Sequence, residues 1–171
     1  MIEIELKARL EDKKNIIEIL YKKARFAADY LKKDFYYSKA NAPSIRIRED
    51  KGDFFVTRKL KTISEGMEVN DELEFKISSA DDFEKLLFEL GYKKYFSKIK
   101  DGKRFEIGEY TIEVHSIAGL GDFIEIERLI PPEQKQNIQN IKSEELDLLV
   151  EFGIDISQLE PRPYIEIAKS I

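Results

Sequence analysis

The stretch Glu3-Ile4-Glu5-Leu6-Lys7 alternates charge with hydrocarbon. Side chains of a strand point to opposite faces in turn, so Glu3, Glu5 and Lys7 share one face. Ile2, Ile4, Leu6 and Ala8 share the other. Two carboxylates side by side on one strand repel, and the arrangement asks for a cation between them. A divalent ion held by oxygens answers that need. On this strand alone, an edge strand with one wet, charged face is the simpler account. The rest of the chain changes that weighting.

The same alternation returns four times, and like Glu3 and Glu5 the pairs Arg46/Arg48, Glu72/Glu74 and Glu125/Glu127 are each of one sign. Arg46 and Arg48 alternate with Ile45 and Ile47; Glu72, Glu74 and Lys76 alternate with Leu73, Phe75 and Ile77. Glu113 and His115 share a face, and Glu125 and Glu127 alternate with Ile124 and Ile126. A solvated sheet face mixes signs, because opposite charges across strands stabilise it. Sorted pairs on successive strands instead predict a closed antiparallel β-barrel with a charged lumen. Its apolar faces would point outward under three helices, the inverse of the usual small barrel. Charged residues make up 37% of the chain, well above the usual quarter, which leaves enough of them to line such an interior.

The 171 residues suit one domain, 1–171, with a sizeable core. A net charge of −5 argues against an extended nucleic-acid surface. With no cysteine a thiolate metal site is excluded, and a single histidine argues against a histidine-based zinc site. No apolar run is long enough to span a membrane, and Met-Ile-Glu-Ile-Glu is not a secretory leader, so the expectation is a cytoplasmic protein.

Between the strands, Asp12 caps a helix expected to run to about Phe26, with Ile16, Ile17, Ile19, Leu20 and Ala24 as its apolar stripe. Strands are expected over 34–39, 44–48 and 54–61, with a loop over 62–69. Ser79 or Asp81 caps a second helix, stopped by Gly91. Asp101-Gly102 reads as a two-residue hairpin turn, although one long strand to Ile107 is the alternative. Pro131-Pro132 opens a last helix to about Phe152, and a Pro-rich tail follows that either lids the barrel or packs along it.

Arg46, Arg48, Lys59 and Lys100 can hold phosphate oxygens, and Glu3, Glu5, Glu125 and Glu127 a hard cation touching the same phosphates. A triphosphate with Mg²⁺ or Mn²⁺ satisfies both halves.

In order, Glu3-x-Glu5-x-Lys7, Arg46-x-Arg48, Lys59, Glu72-x-Glu74 and the Gly119-Leu120-Gly121-Asp122-Phe123-Ile124-Glu125-Ile126-Glu127 segment resemble the CYTH superfamily, the triphosphate tunnel metalloenzymes. The tail Glu160-Pro161-Arg162-Pro163-Tyr164 resembles the ending of that family's class IV adenylyl cyclases. The resemblance implies Glu3, Glu5, Glu72, Glu74, Glu125 and Glu127 as the metal-binding set. It implies Lys7, Arg46, Arg48, Lys59, Lys98, Lys100 and Arg104 as triphosphate ligands, with Lys98 or Arg104 standing in for the family's Lys-x-Arg. Lys7, Glu113 and His115 are the catalytic candidates. His115 stands where the family often has Asp; it can act as a base or only hydrogen-bond the lumen wall. Phe35, Tyr36, Tyr37 and Phe55 can stack a nucleobase or belong to the core. The implied activity is conversion of ATP to cyclic AMP and pyrophosphate. Hydrolysis of inorganic, thiamine or nucleoside triphosphate, or polyphosphate binding without turnover, are the alternatives. A homodimer is consistent with the resemblance.

Overall fold

The computed structural model describes residues 1–64 and 67–170, excepting the side chains of 59, 61–64 and 67–68. Eight antiparallel strands close into a barrel: β1 (Ile2–Leu10), β2 (Arg25–Ser38), β3 (Ile45–Asp50), β4 (Asp53–Ser64), β5 (Met67–Ile77), β6 (Lys93–Ile107), β7 (Tyr110–Ile117) and β8 (Gly121–Ile130). Their order around the barrel is β1-β5-β4-β3-β2-β6-β7-β8, and β8 returns to β1. Register places Glu5 opposite Glu127, Lys7 opposite Glu125, and Glu113 opposite Glu125. The acidic strands at the two ends of the chain are therefore neighbours.

The outward faces carry the hydrocarbon. Four helices cover part of them: α1 (Lys13–Lys23), α2 (Ala80–Glu89), α3 (Ile138–Glu151) and α4 (Tyr164–Lys169). Leu6 and Ala8 of β1, Ile112 and Val114 of β7, and Ile124 and Ile126 of β8 pack against Ile16 and Leu20 of α1 and Leu149 of α3. Ile2, Ile4 and Ile130 meet Ile141 of α3. Leu87 of α2 covers Tyr37, Ile47 and Val56. The cover is incomplete: Leu31, Ile99, Leu73 and Phe75 are about half exposed. Four helices rather than three do the covering, because the tail folds α4 back onto Ile117 and Phe123.

Three local expectations are corrected. The first helix ends at Lys23, and 25–33 belong to β2, which continues unbroken to Ser38. Arg25 to Lys33 pair with β6, and that pairing outweighs local helix propensity. The loop expected over 62–69 is mostly strand: Thr62–Ser64 pair with Met67–Val69, and residues 65–66 lie outside the described residues. Asp101-Gly102 is no turn but mid-strand in β6. Glycine is required there for space, since a Cβ would lie 2.4 Å from the Val114 carbonyl oxygen and 2.6 Å from His115 Cβ.

Candidate active site

Alternation turns the polar face of each strand into the lumen, where burial forces every charge to find a partner. Glu3, Glu5 and Glu127 each offer a carboxylate oxygen, all within 4.8 Å of one another. Asn70 of β5 donates to Glu3 Oε2 at 2.9 Å. Burial, then the charges of Glu3 and Glu113, push the Glu127 carboxyl up to about 8. Such a cluster is relieved by a cation, and three hard oxygen donors fit a divalent ion. This is the buried acidic group that a metal would occupy.

Glu125 lies one pair along β8, toward Lys7. Its carboxylate takes the Lys100 ammonium and the Tyr164 hydroxyl, the latter at 2.6 Å. Burial alone would raise it, but Lys100 beside it outweighs that and holds it well below the usual range. Glu113 receives the Lys32 ammonium and Arg104, whose Nη2 is 3.0 Å away. Here too burial opposes and Lys32 and Lys100 prevail, keeping the carboxyl low. Glu113, His115 and Glu125 also approach within 4.8 Å. The carboxylates of Glu113 and Glu125 already hold lysine and arginine, so a metal suits this second group less well.

The basic wall comes from β2, β3 and β6. Arg48 makes a two-pronged contact with Asp34, Nε at 2.7 Å and Nη2 at 2.9 Å. Burial would raise Asp34, but this guanidinium holds it far below the usual range. Arg46 Nη2 donates to Thr57 Oγ1 (2.8 Å) and Glu74 (3.1 Å), while its buried Nε has no hydrogen-bond partner among the described residues. Lys98 is 3.7 Å from Asp34, and burial together with Lys100 pushes its ammonium well below the usual range. Glu72 contributes its charge near Arg46. The side chain of Lys59 lies outside the described residues.

Lys7, Arg46, Lys98 and Lys100 converge with Glu5 and Glu125 on one cavity of about 240 Å³. Tyr36, Tyr95 and Phe96 supply an aromatic wall, and Pro163, Tyr164 and Ile165 of the tail another. Tyr36 stands 5.6 Å from Phe96 and 6.4 Å from Tyr95, ring to ring. Of the aromatics singled out in the sequence, Tyr36 reaches the cavity. Phe35 and Tyr37 instead face outward, toward α2.

His115 is fully buried between two tyrosines. Its Nδ1 is 3.1 Å from the Tyr30 hydroxyl and its Nε2 2.9 Å from that of Tyr164. Burial, then Lys100, lowers its pKa to about 3, so the ring is neutral at physiological pH.

Sequence reasoning missed Tyr30, Lys32, Asp34, Thr57, Asn70 and Tyr164 as lumen residues. The signal for the first three was present: Tyr30, Lys32, Asp34 and Tyr36 recur at every second position. It was hidden by reading the segment before residue 34 outside any strand.

The CYTH domain family model matches residues 1–160. A Methanocaldococcus jannaschii protein named "putative adenylate cyclase" is 27% identical over 176 residues, covering 98% of each chain. A solved Pyrococcus horikoshii protein superposes with a TM-score of 0.85 at 28% identity, covering 98% of both chains. A Hippeastrum protein, named a "putative adenylyl cyclase" and described as having a dominant triphosphatase activity, shares the fold (TM-score 0.68, 17% identity, 99% of this chain and 95% of that one). Whole-length family match and tunnel geometry agree, and the chain belongs to the CYTH domain family.

Proposed function

We infer that the protein is a metal-dependent enzyme acting on an organic triphosphate, with ATP converted to cyclic AMP and pyrophosphate. One observation carries the reading. On the cavity wall, Arg46 has a buried donor without an acceptor among the described residues, and burial beside Lys100 disfavours the Lys98 ammonium. Close by along β1, Glu3, Glu5 and Glu127 crowd together. An anion of several charges bridged by a divalent cation relieves both imbalances at once.

In this reading Glu3, Glu5 and Glu127 hold Mg²⁺ or Mn²⁺, with Glu72 and Glu74 as further acids on the adjoining strand. Bound there, the ion would neutralise phosphate charge and polarise the phosphorus. Lys7, Arg46, Lys98 and Lys100 bind the phosphate oxygens, and Lys59 and Arg48 complete the basic wall. Arg104, paired with Glu113, stands behind them. The ribose 3′-hydroxyl attacks the α-phosphorus, the bond to the β-phosphate oxygen breaks, pyrophosphate leaves and the hydroxyl proton passes to water, so the protein's work is alignment and charge stabilisation. The aromatic wall favours an organic group over inorganic triphosphate, because base–aromatic stacking is worth about 1–3 kcal/mol.

The second reading is a triphosphatase, in which water attacks a terminal phosphorus in the same cradle; the activity described for the Hippeastrum protein favours keeping it. Incubation with ATP, thiamine triphosphate or tripolyphosphate, plus Mg²⁺ or Mn²⁺, separates the two. Cyclic AMP with equimolar pyrophosphate is expected from ATP. Inorganic phosphate alone establishes the hydrolase, and no product from any of the three overturns both.

A further inference from the structure

The C-terminal tail is built into the lumen wall. The Glu160 backbone N–H donates to the Lys7 carbonyl oxygen at 2.8 Å, and Ala8 forms a β-bridge with Leu159. The buried Glu160 carboxylate accepts from Arg9 Nε (3.0 Å) and from Arg162 Nε (2.7 Å) and Nη2 (2.6 Å). Ile167, fully buried, packs with Ile117 and Phe123. Between these two anchors the Tyr164 ring enters the cavity. Three ammonium groups lie over that ring: Lys98 at 4.0 Å, Lys7 at 4.3 Å and Lys100 at 5.5 Å from its centroid. Lys7 Nζ also donates to the Arg162 carbonyl oxygen at 2.6 Å.

The hydroxyl of Tyr164 has one proton, and the anionic Glu125 Oε1 at 2.6 Å takes it. The Tyr164 oxygen must then accept from His115, which places the imidazole proton on Nε2. Nδ1 is left as the acceptor, 3.1 Å from the Tyr30 hydroxyl, which also reaches Glu113. The proton directions from His115 through Tyr164 to Glu125 are thereby set, and the far end of the chain meets Lys100 on the other oxygen of Glu125. Hydrogen bonds in such a chain polarise one another.

We propose that Tyr164 is a positioning residue: its ring seats the ammonium groups of Lys7, Lys98 and Lys100, and its hydroxyl, oriented by His115, aims Glu125 and thus Lys100 at the phosphate chain. The proposal rests on the triphosphate reading of the cavity. It gives His115 the task of a neutral clamp rather than of a base, and makes the tail a fixed wall that stays in place when ligand binds.

The protein has one histidine, so a ¹⁵N-labelled imidazole gives one set of signals. Tyr164→Phe keeps the ring and deletes the link; Tyr30→Phe cuts the chain at its other end. Three measurements are made on each protein: the His115 tautomer by long-range ¹H–¹⁵N correlation, the melting temperature, and tripolyphosphate affinity by calorimetry with Mn²⁺. In wild type the Nε2–H tautomer should prevail without titrating from pH 5 to 8. Tyr164→Phe should remain folded, lose the single tautomer, and bind tripolyphosphate roughly tenfold more weakly, the scale of one hydrogen bond to a charged group. Tyr30→Phe should relax the tautomer with a smaller loss of affinity. A wild-type protein that holds an Nδ1–H imidazole, or a Tyr164→Phe variant with wild-type affinity, overturns the proposal. If Tyr164→Phe fails to fold, Tyr30→Phe decides it alone, and an unchanged tautomer there refutes it. Wild-type protein that binds no tripolyphosphate overturns the triphosphate reading itself, and the tautomer result still tells whether the clamp exists.

Discussion

Glu145 of α3 offers the sharpest test of how charge burial sets this protein's stability. Its side chain is 0% exposed, and neither carboxylate oxygen has a hydrogen-bond partner among the described residues. Burial, then the charges of Glu127 and Glu3, push its carboxyl from the ordinary 4.5 up to about 9, with Lys142 and Arg128 acting the other way. A carboxyl raised on folding binds more protons folded than unfolded. Its contribution is therefore fully present below about pH 4.5 and is lost as pH rises toward 9. Each pH unit in that window costs about 1.4 kcal/mol, so neutrality costs about 3 kcal/mol. Glu145→Met fills similar space without the ionisable group. Urea denaturation of both proteins at pH 5 and pH 8 checks it. The variant's advantage should be about 4 kcal/mol larger at pH 8 than at pH 5, three units at the same slope. Taking the difference between the two pH values cancels the packing change. At pH 7 the expected gain of about 3 kcal/mol raises the melting temperature by about 6–12 °C. An advantage that is the same at both pH values refutes the argument, because Glu145 would then be ionised within the fold.

Gly102→Ala should destabilise the barrel by about 1–3 kcal/mol, since β6 and β7 must part to admit a methyl 2.4 Å from Val114 oxygen; denaturation curves measure it. Asp34→Ala strands Arg48 and Lys98 in the lumen and should cost about 3–5 kcal/mol; in thermal melts, millimolar tripolyphosphate should restore part of that loss. Glu127→Gln should abolish turnover and Mn²⁺ binding while sparing metal-free tripolyphosphate binding, whereas Arg46→Ala should weaken the anion itself, each by about 2–4 kcal/mol; calorimetry with and without Mn²⁺ separates them. Because the Glu127 carboxyl is raised to about 8, wild-type Mn²⁺ affinity should rise as pH passes from 6 to 9, and a flat profile would contradict its role.

The sequence by itself determined the barrel and the sign of its walls. Period-two alternation is local, and sorting by sign survives whatever the pairing turns out to be, so Glu3, Glu5, Arg46, Arg48, Glu125 and Glu127 could be assigned to a common interior. Family resemblance added the order of the motifs. The helix expected to about Phe26 and the turn at Asp101-Gly102 give way for one reason: local propensity describes a helix end and a turn, while pairing between β2 and β6 makes both into long strand, the alternative kept open for β6. Which carboxylates crowd together and which are already neutralised was beyond the sequence. Glu125 and Glu127 differ by one register pair, yet one meets Lys100 and Tyr164 and the other meets Glu3 and Glu5. Charge pairing in a closed lumen depends on which strands stand opposite and how far they are staggered. That is fixed only when the barrel closes and the last residues of the chain, 159–167, return to the first strand and seal its wall.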